Sequence, residues 1–416
     1  MADVRRQQLH VVAACYLGWT LDAFDYFIMS LTLDDVAKAF HTDRTALSFA
    51  FTVTLVMRPL GAFIFGLLAD RFGRRPALMA SVLLYSMLEF ASAFAPTLTI
   101  FLVLRGLFGL AMGGEWGVGA SLTMESIPAK WRGTVSGLLQ AGYPSGYLLA
   151  TLLNWAAIGL VGWRGLFMLG ALPALLVLYI RRNVPESPDW ETRASPAQRA
   201  TVWNLLDVLG GHFGLVAYAV LMMTAFNVFS HGTQDLYKSF LMVEHRLSLG
   251  VTTTILIFMN IAAIAGGILC ASLSQRVGRR TAIVVAALLS LPVLPLWAFS
   301  NQPLAIGIGA FAMQLCVQGA WGVIPAHLNE LSPAAIRGTF PGLTYTIGNL
   351  MASVTLPIQS GLADTYFHKD LSWPLALVVG TAAVVIALLV GFGREARDVR
   401  MGRERVPAES GTASRA

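Results

Sequence analysis

The chain is short of charge, short of cysteine and empty of the usual catalytic and nucleotide-binding motifs. Only 12% of its 416 residues are Asp, Glu, Lys or Arg, against roughly 25% in soluble domains. With 56% hydrophobic residues it lacks the polar groups to cover a water-facing surface. That excludes a soluble multidomain enzyme, and the same apolar content excludes intrinsic disorder. The cysteines, Cys15, Cys270 and Cys316, each stand alone in an apolar run. They offer no disulfide framework and no metal or redox pair, and read as small core hydrophobes. No Gly-x4-Gly-Lys-Ser/Thr occurs, so ATP is excluded as a direct driver. His327 and Glu330 are three residues apart without further ligands, which leaves no metal site. No nucleophile–histidine–acid set can be defended. The expectation is a protein with no cofactor and no enzymatic activity.

What the chain has is long apolar runs. Crossing a ~30 Å hydrocarbon core takes about 20 apolar residues as a helix. That window places spans near 10–33, 45–69, 76–95, 98–122, 134–157 and 164–182. A second set lies near 212–236, 251–273, 281–299, 303–327, 339–362 and 373–393. The expected class is therefore an all-α integral membrane protein of about twelve spans. The formal charge of +6 would hint at nucleic acid in a soluble chain. Here the basic residues lie between spans, so no nucleic-acid partner is expected. Arg5–Arg6, Arg71/Arg74/Arg75, Lys130/Arg132, Arg181/Arg182, Arg276/Arg279/Arg280 and Arg337 fall on one side, and the alternate loops are nearly uncharged. The positive-inside rule then predicts both termini in the cytoplasm. A short basic start and two aspartates in the first apolar run predict no cleavable signal peptide.

A repeat organises the chain. Arg71-Phe-Gly-Arg-Arg75 recurs as Arg276-Val-Gly-Arg-Arg280, an offset of 205 residues. The same offset carries Glu125, Pro128 and Arg132-Gly-Thr134 onto Glu330, Pro333 and Arg337-Gly-Thr339, and Trp116-Gly-Val118 onto Trp321-Gly-Val323. Two homologous six-helix bundles are expected, 1–182 and 212–393, with a cytoplasmic linker at 183–211 and a disordered tail at 394–416. Parallel repeats of this kind place a substrate site near the midplane, between the halves.

These motifs resemble the major facilitator superfamily over essentially the whole length. Gly66-Leu-Leu-Ala-Asp70-Arg-Phe-Gly-Arg-Arg75 resembles its loop motif between the second and third helices. Arg105-Gly-Leu-Phe-Gly109 resembles its fourth-helix motif, and Pro185-Glu-Ser-Pro188 a sequence that follows the sixth helix in solute-transporting branches. The resemblance implies gating or conformational roles for Asp70, Arg71, Gly73, Arg74, Arg75 and Arg105, and for Arg276, Gly278, Arg279 and Arg280; for Arg105, beside Gly106, Gly109 and Gly113, helix packing and proton transfer are open as well. It also implies a monomer. Gln275 stands where Asp70 does in the other half, which predicts weaker gating contacts there.

A charge at the bilayer centre costs about 2.5–3.5 kcal/mol on insertion scales, so each one inside a span is a functional candidate. Asp22 and Asp25 lie in the first span, Arg58 in the second, Glu89 in the third, Arg105 and Glu115 in the fourth, and His231 and Asp235 in the seventh. Asp22, Asp25 and Tyr26 share one helical face. Asn227, His231, Gln234, Asp235 and Lys238 form a single polar stripe, which cannot face lipid. The offset makes the first and seventh spans equivalents, so their polar faces are expected to confront each other. For Asn227, Ser230 and Thr233, helix packing is as good a reading as function. Arg58 offers a permanent, two-pronged cation for a carboxylate; the rival reading is an ion pair with a first-span aspartate or Glu115. Candidate substrate contacts are Arg58, Tyr26, Asn227, His231 and Gln234. Candidate proton carriers are Asp22, Asp25, Glu115 and Asp235, since burial raises a carboxylate's pKa and a nearby arginine lowers it.

The seventh-span string Asn227-x-x-Ser-His231-x-Thr-Gln234-Asp235-x-x-x-Ser239 resembles a signature of Jen-type carboxylate:proton symporters of the sialate:proton symporter group. Thr54-Leu-Val-Met-Arg58-Pro-Leu-Gly61 resembles their second-helix segment. That resemblance implies proton-coupled uptake of a small monocarboxylate, lactate or pyruvate, across the inner membrane. Asp22-Ala-Phe-Asp25 also resembles a first-helix motif of aromatic-acid:proton symporters, which keeps aromatic and sialic acids open. A sensor that binds a nutrient without moving it is the alternative of another class.

Overall fold

The structure is a computed structural model that describes residues 2–42, 44–192, 202–397, 399 and 401. All regular structure among them is helical. Most of the expected tail, and residues 193–201 of the expected linker, lie outside the described residues. What is described of the linker includes two helices, Pro188–Thr192 and Val202–Gly211.

Among the described residues, nine stretches are long and apolar enough to cross a membrane. The difference from the expected twelve is one of continuity. The stretch 129–183 is a single run of 55 residues, yet it breaks at Gly162, which has φ 63°, and so supplies the fifth and sixth spans. The third span, Arg74–Ser92, carries Arg74, Arg75 and Glu89 and is not apolar enough to stand among the nine. The eleventh is divided into Phe340–Ala352 and Thr355–Tyr366. The remaining spans are single helices or short-broken ones: Ala2–Leu31, Arg44–Phe72, Leu98–Met112 running on as Glu115–Ser126, Phe213–Gln234, Leu249–Val277, Arg279–Leu289 with Leu294–Ala298, Pro303–Leu331 and Ser372–Gly391.

One expected feature is interrupted. The seventh helix ends at Gln234 and resumes as Tyr237–Ser239 and a wide π turn, Phe240–Glu244. Lys238 therefore stands in a separate, exposed turn, and the polar stripe stops one residue beyond the helix at Asp235.

Small residues set the helix spacing that positions the charged groups. A Cβ on Gly109 would sit 2.2 Å from the Thr54 carbonyl oxygen, and one on Gly113 would sit 2.1 Å from that of Arg58. The fourth span thus lies directly against the second at Arg58, the close approach that small residues permit between membrane helices. Gly146 brings the fifth span similarly close to the first at Thr20, and Gly142 meets it less tightly at Tyr16. Across the halves, Gly117 meets Gly342 and Gly137 meets Gly267 backbone to backbone.

Candidate functional site

At the end that carries the arginine-rich loops the halves are locked together. Arg74 holds Glu125 with two hydrogen bonds (3.1 and 3.0 Å) and Asp70 with a third (2.8 Å). Asp70 in turn accepts from the opposite half: the Gly338 and Thr339 N–H groups at 2.8 and 3.1 Å and the Thr339 hydroxyl at 2.7 Å. In the second half Arg279 holds Glu330 with two bonds of 3.0 Å and Gln275 with one. Gln275 crosses back to the Gly133 N–H (3.0 Å) and the Ala129 carbonyl (2.9 Å). Every partner in one set is the other's image at the 205-residue offset, apart from the Asp-to-Gln exchange and the Thr339 and Ala129 contacts. Gly73 and Gly278, with φ 112° and 98°, turn the chain into the third and ninth spans, a conformation that costs L side chains dearly.

The Pro185–Pro188 segment belongs to this lock. Glu186 accepts from the Arg74 and Arg75 N–H groups at 2.8 and 3.1 Å, satisfying a helix N-terminus. Asp189 takes Arg337 at 2.5 Å. Arg75 and Arg280 donate to carbonyl oxygens at the ends of the sixth and twelfth spans. Arg71 and Arg276 are exposed and stand outside the lock. Arg105 is also outside it, deep in the first half.

Within that half the charges form two groups. Arg58, 6% exposed, donates to Asp22 at 3.3 Å, and Glu115 lies close enough to feel both charges. Arg105 pairs with Glu89 and donates to Ser92 at 2.8 Å, under the rings of Phe101, Phe108 and Phe167. Asp25 lies near this second group. Neither oxygen of Asp25 or of Glu115 has a hydrogen-bond partner among the described residues, and the Arg58 Nε also lacks one.

The seventh span brings Asp235 within electrostatic reach of Tyr26, and His231 within reach of Arg58. His231 places Nε2 2.9 Å from the Asn349 side-chain oxygen and Nδ1 3.2 Å from Asp235. Both ring nitrogens thus face polar side chains, one on the eleventh span and one at the end of its own helix. The His231 and Asp235 side chains are 29% and 33% exposed, at the end of the seventh span opposite the lock. Gln234 reaches Ser230 (3.2 Å) and Gln314 (3.4 Å), and Gln318 also donates to Ser230. Asn227 is turned back: it is buried and donates to the Met223 carbonyl at 2.7 Å.

Three groups here were not singled out in the sequence. Tyr143 and Tyr345 join Tyr26 near Arg58, whose guanidinium carbon lies 6.0 Å from the Tyr26 ring. Below them Tyr345 is packed by Trp19, Trp116 and Trp321, at 6.4, 4.6 and 5.9 Å between ring centres. Asn349 and the Gln314–Gln318 pair sit in otherwise apolar spans. Glutamines at i, i+4 inside a membrane helix are the signal that could have found them.

Comparison with known proteins agrees with this architecture. The sequence matches the sugar (and other) transporter family over residues 11–202 and 208–395. It is 28% identical over 402 residues to a carboxylic acid transporter protein homolog of Saccharomyces cerevisiae, covering 90% of this chain and 64% of the yeast protein, so it spans less than two thirds of that relative's length. It is 28% identical over 412 residues to a probable 4-methylmuconolactone transporter of Cupriavidus pinatubonensis, covering 93% of this chain and 90% of that one. The proton:xylose symporter XylE, bound to a bromodeoxyglucose, superposes with a TM-score of 0.77 at 19% identity, covering 94% of this chain and 97% of that structure. The chain belongs to the sugar (and other) transporter family and has the two-bundle fold of the major facilitator superfamily.

Proposed function

We propose that the protein is a proton-coupled symporter that carries a small monocarboxylate, such as lactate or pyruvate, into the cell by alternating access. The observation that carries this reading is Arg58: a buried guanidinium holding one aspartate at 3.3 Å, with its Nε unpartnered among the described residues. A guanidinium has five N–H donors in a fork that fits a carboxylate, so the site has donors to spare for an anion. The name of the yeast relative supports a carboxylic acid, and the resemblance of the seventh span to Jen-type symporters narrows this to a monocarboxylate.

The coupling follows from competition for Arg58. A substrate carboxylate on the guanidinium weakens its hold on Asp22, beside which stands Glu115. A buried carboxylate deprived of its cation is costly, so a proton taken from the open side accompanies the anion. Asp25 and Asp235 are further stations for that proton. Tyr26, His231 and Gln234 would meet the remaining oxygens, and Asn227 would reach the substrate only by releasing Met223. Rocking of the halves then parts the Asp70 and Gln275 contacts on the cytoplasmic side, with both termini there and the protein in the inner membrane, acting as a monomer.

A second reading, an aromatic or conjugated acid, is favoured by one observation: Tyr26, Tyr143 and Tyr345 around Arg58 offer flat faces to a planar substrate. The probable 4-methylmuconolactone transporter among the relatives agrees with it. One experiment separates these readings and tests both: tracer uptake into proteoliposomes under an imposed pH step, with lactate, pyruvate, benzoate and sialate as competitors. Uptake that ignores the pH step would overturn proton coupling. Binding without any tracer accumulation would turn the protein into a sensor.

A further inference from the structure

Outside the candidate site, two clefts adjoin on the arginine-loop end, at the outer rim of the second half. One, of about 670 Å³, is lined by Arg276, Val277, Arg280, Val285, Glu395 and Arg397 among others. The other, of about 560 Å³, is lined by Lys130, Trp131, Leu269, Leu273 and again Arg276. Four cations thus face one carboxylate. That carboxylate, Glu395, accepts the backbone N–H groups of Arg280 and Arg397, each at 3.1 Å. The guanidinium of Arg280 is anchored on the Val390 and Gly391 carbonyls, and that of Arg397 on the Arg276 carbonyl at 2.8 Å. Lys130 and Arg276 are exposed and make no ion pair among the described residues.

The remaining walls are apolar and open. Leu269 is 62%, Leu273 52%, Val277 44% and Val285 49% exposed, and Trp131 is 55% exposed beside Lys130. In a membrane protein such residues on the outer faces of the eighth and ninth spans meet acyl chains, and a tryptophan at their end marks the headgroup level. The clefts therefore offer cations where a lipid phosphate lies and hydrocarbon walls where its chains lie. We propose that this rim is a binding site for an anionic phospholipid, its phosphate held by Lys130, Arg276 and Arg280. A soluble phosphate compound would meet the same cations and leave the apolar walls bare. Lys130 and Trp131 belong to the first half and the other residues to the second. The site flanks the Gln275–Gly133 contact, so a single headgroup bridges the halves.

The test is lipid retention by the purified full-length protein, titrated with phosphatidylglycerol or phosphatidylcholine and read by native mass spectrometry. Phosphatidylglycerol is expected to be retained in preference. Lys130→Gln with Arg276→Gln should lower its retention about 25-fold, at roughly fivefold per cation near the membrane surface. Lys130→Arg with Arg276→Lys should keep it, which distinguishes charge loss from misfolding. Arg164→Gln, at an exposed arginine beside Trp163 in the opposite loop, should change nothing. Equal retention of both lipids, wild-type retention by the double glutamine variant, or displacement of the lipid by millimolar inorganic phosphate would each overturn the proposal.

Discussion

Asp70 and Gln275 occupy equivalent places in the two halves, and each takes the backbone N–H of a glycine in the opposite half, Gly338 at 2.8 Å and Gly133 at 3.0 Å. The likeness ends at charge. Asp70 adds both Thr339 donors, whereas Gln275 adds a neutral bond to the Ala129 carbonyl. Hydrogen bonds to charged groups contribute about 1.5–3 kcal/mol and neutral ones about 0.5–1.5. Asp70→Ala should therefore open the arginine-loop side by at least tenfold in population, and Gln275→Ala by a smaller factor. Spin-label distances across that side measure both, and equal effects would refute the asymmetry.

Arg58→Ala should abolish uptake. Arg58→Lys should leave weak uptake, because an ammonium keeps the charge and loses the fork. Initial rates in proteoliposomes decide this, and normal rates in both variants would remove Arg58 from the site.

The buried carboxylates should divide by partner. Glu89 is paired with Arg105, and breaking a buried pair costs about 3–5 kcal/mol, so Glu89→Ala should lower the thermal midpoint sharply. Asp25 and Glu115 have no hydrogen-bond partner among the described residues. Asp25→Asn and Glu115→Gln should leave the midpoint unchanged or raise it, while uptake against a gradient falls. A Glu115→Gln protein that still concentrates substrate would argue against Glu115 as the carrier.

Two glycines of the fourth span make a matched pair. Gly113→Ala would drive a methyl to 2.1 Å from the Arg58 carbonyl oxygen, whereas at Gly119 the nearest atom lies at 3.7 Å. The first substitution should halve uptake or worse by displacing Arg58, and the second should be neutral. Uptake and size-exclusion profiles of the two variants together distinguish displacement from misfolding.

Much of this was legible in the sequence because charge is so scarce. In apolar helices each ionisable residue stands out, and the offset of 205 residues marks equivalent positions before any contact is known. That made Arg58, His231 and the two loop motifs visible. The interruption after Gln234 was not, because Lys238 keeps helical spacing across the break at Asp235 and Leu236. Nor did the sequence show the partner of Arg105, since a motif gives neighbours along the chain and not the Glu89 that folding brings to it. Tyr143 and Tyr345 were hidden for a different reason: aromatic residues are ordinary in a membrane span, and only three-dimensional convergence on one cation sets them apart.

Trp116 and Trp321 are repeat equivalents that both pack on Tyr345, from the fourth and tenth spans. Tyr345 belongs to the second half, so the proposed rocking would hold one indole beside it and draw the other away. On that reading the protein contains an unlabelled optical gauge of its own cycle. Indole emission from the native chain, resolved by Trp116→Phe and Trp321→Phe, reports which way the pore is turned at each moment of turnover.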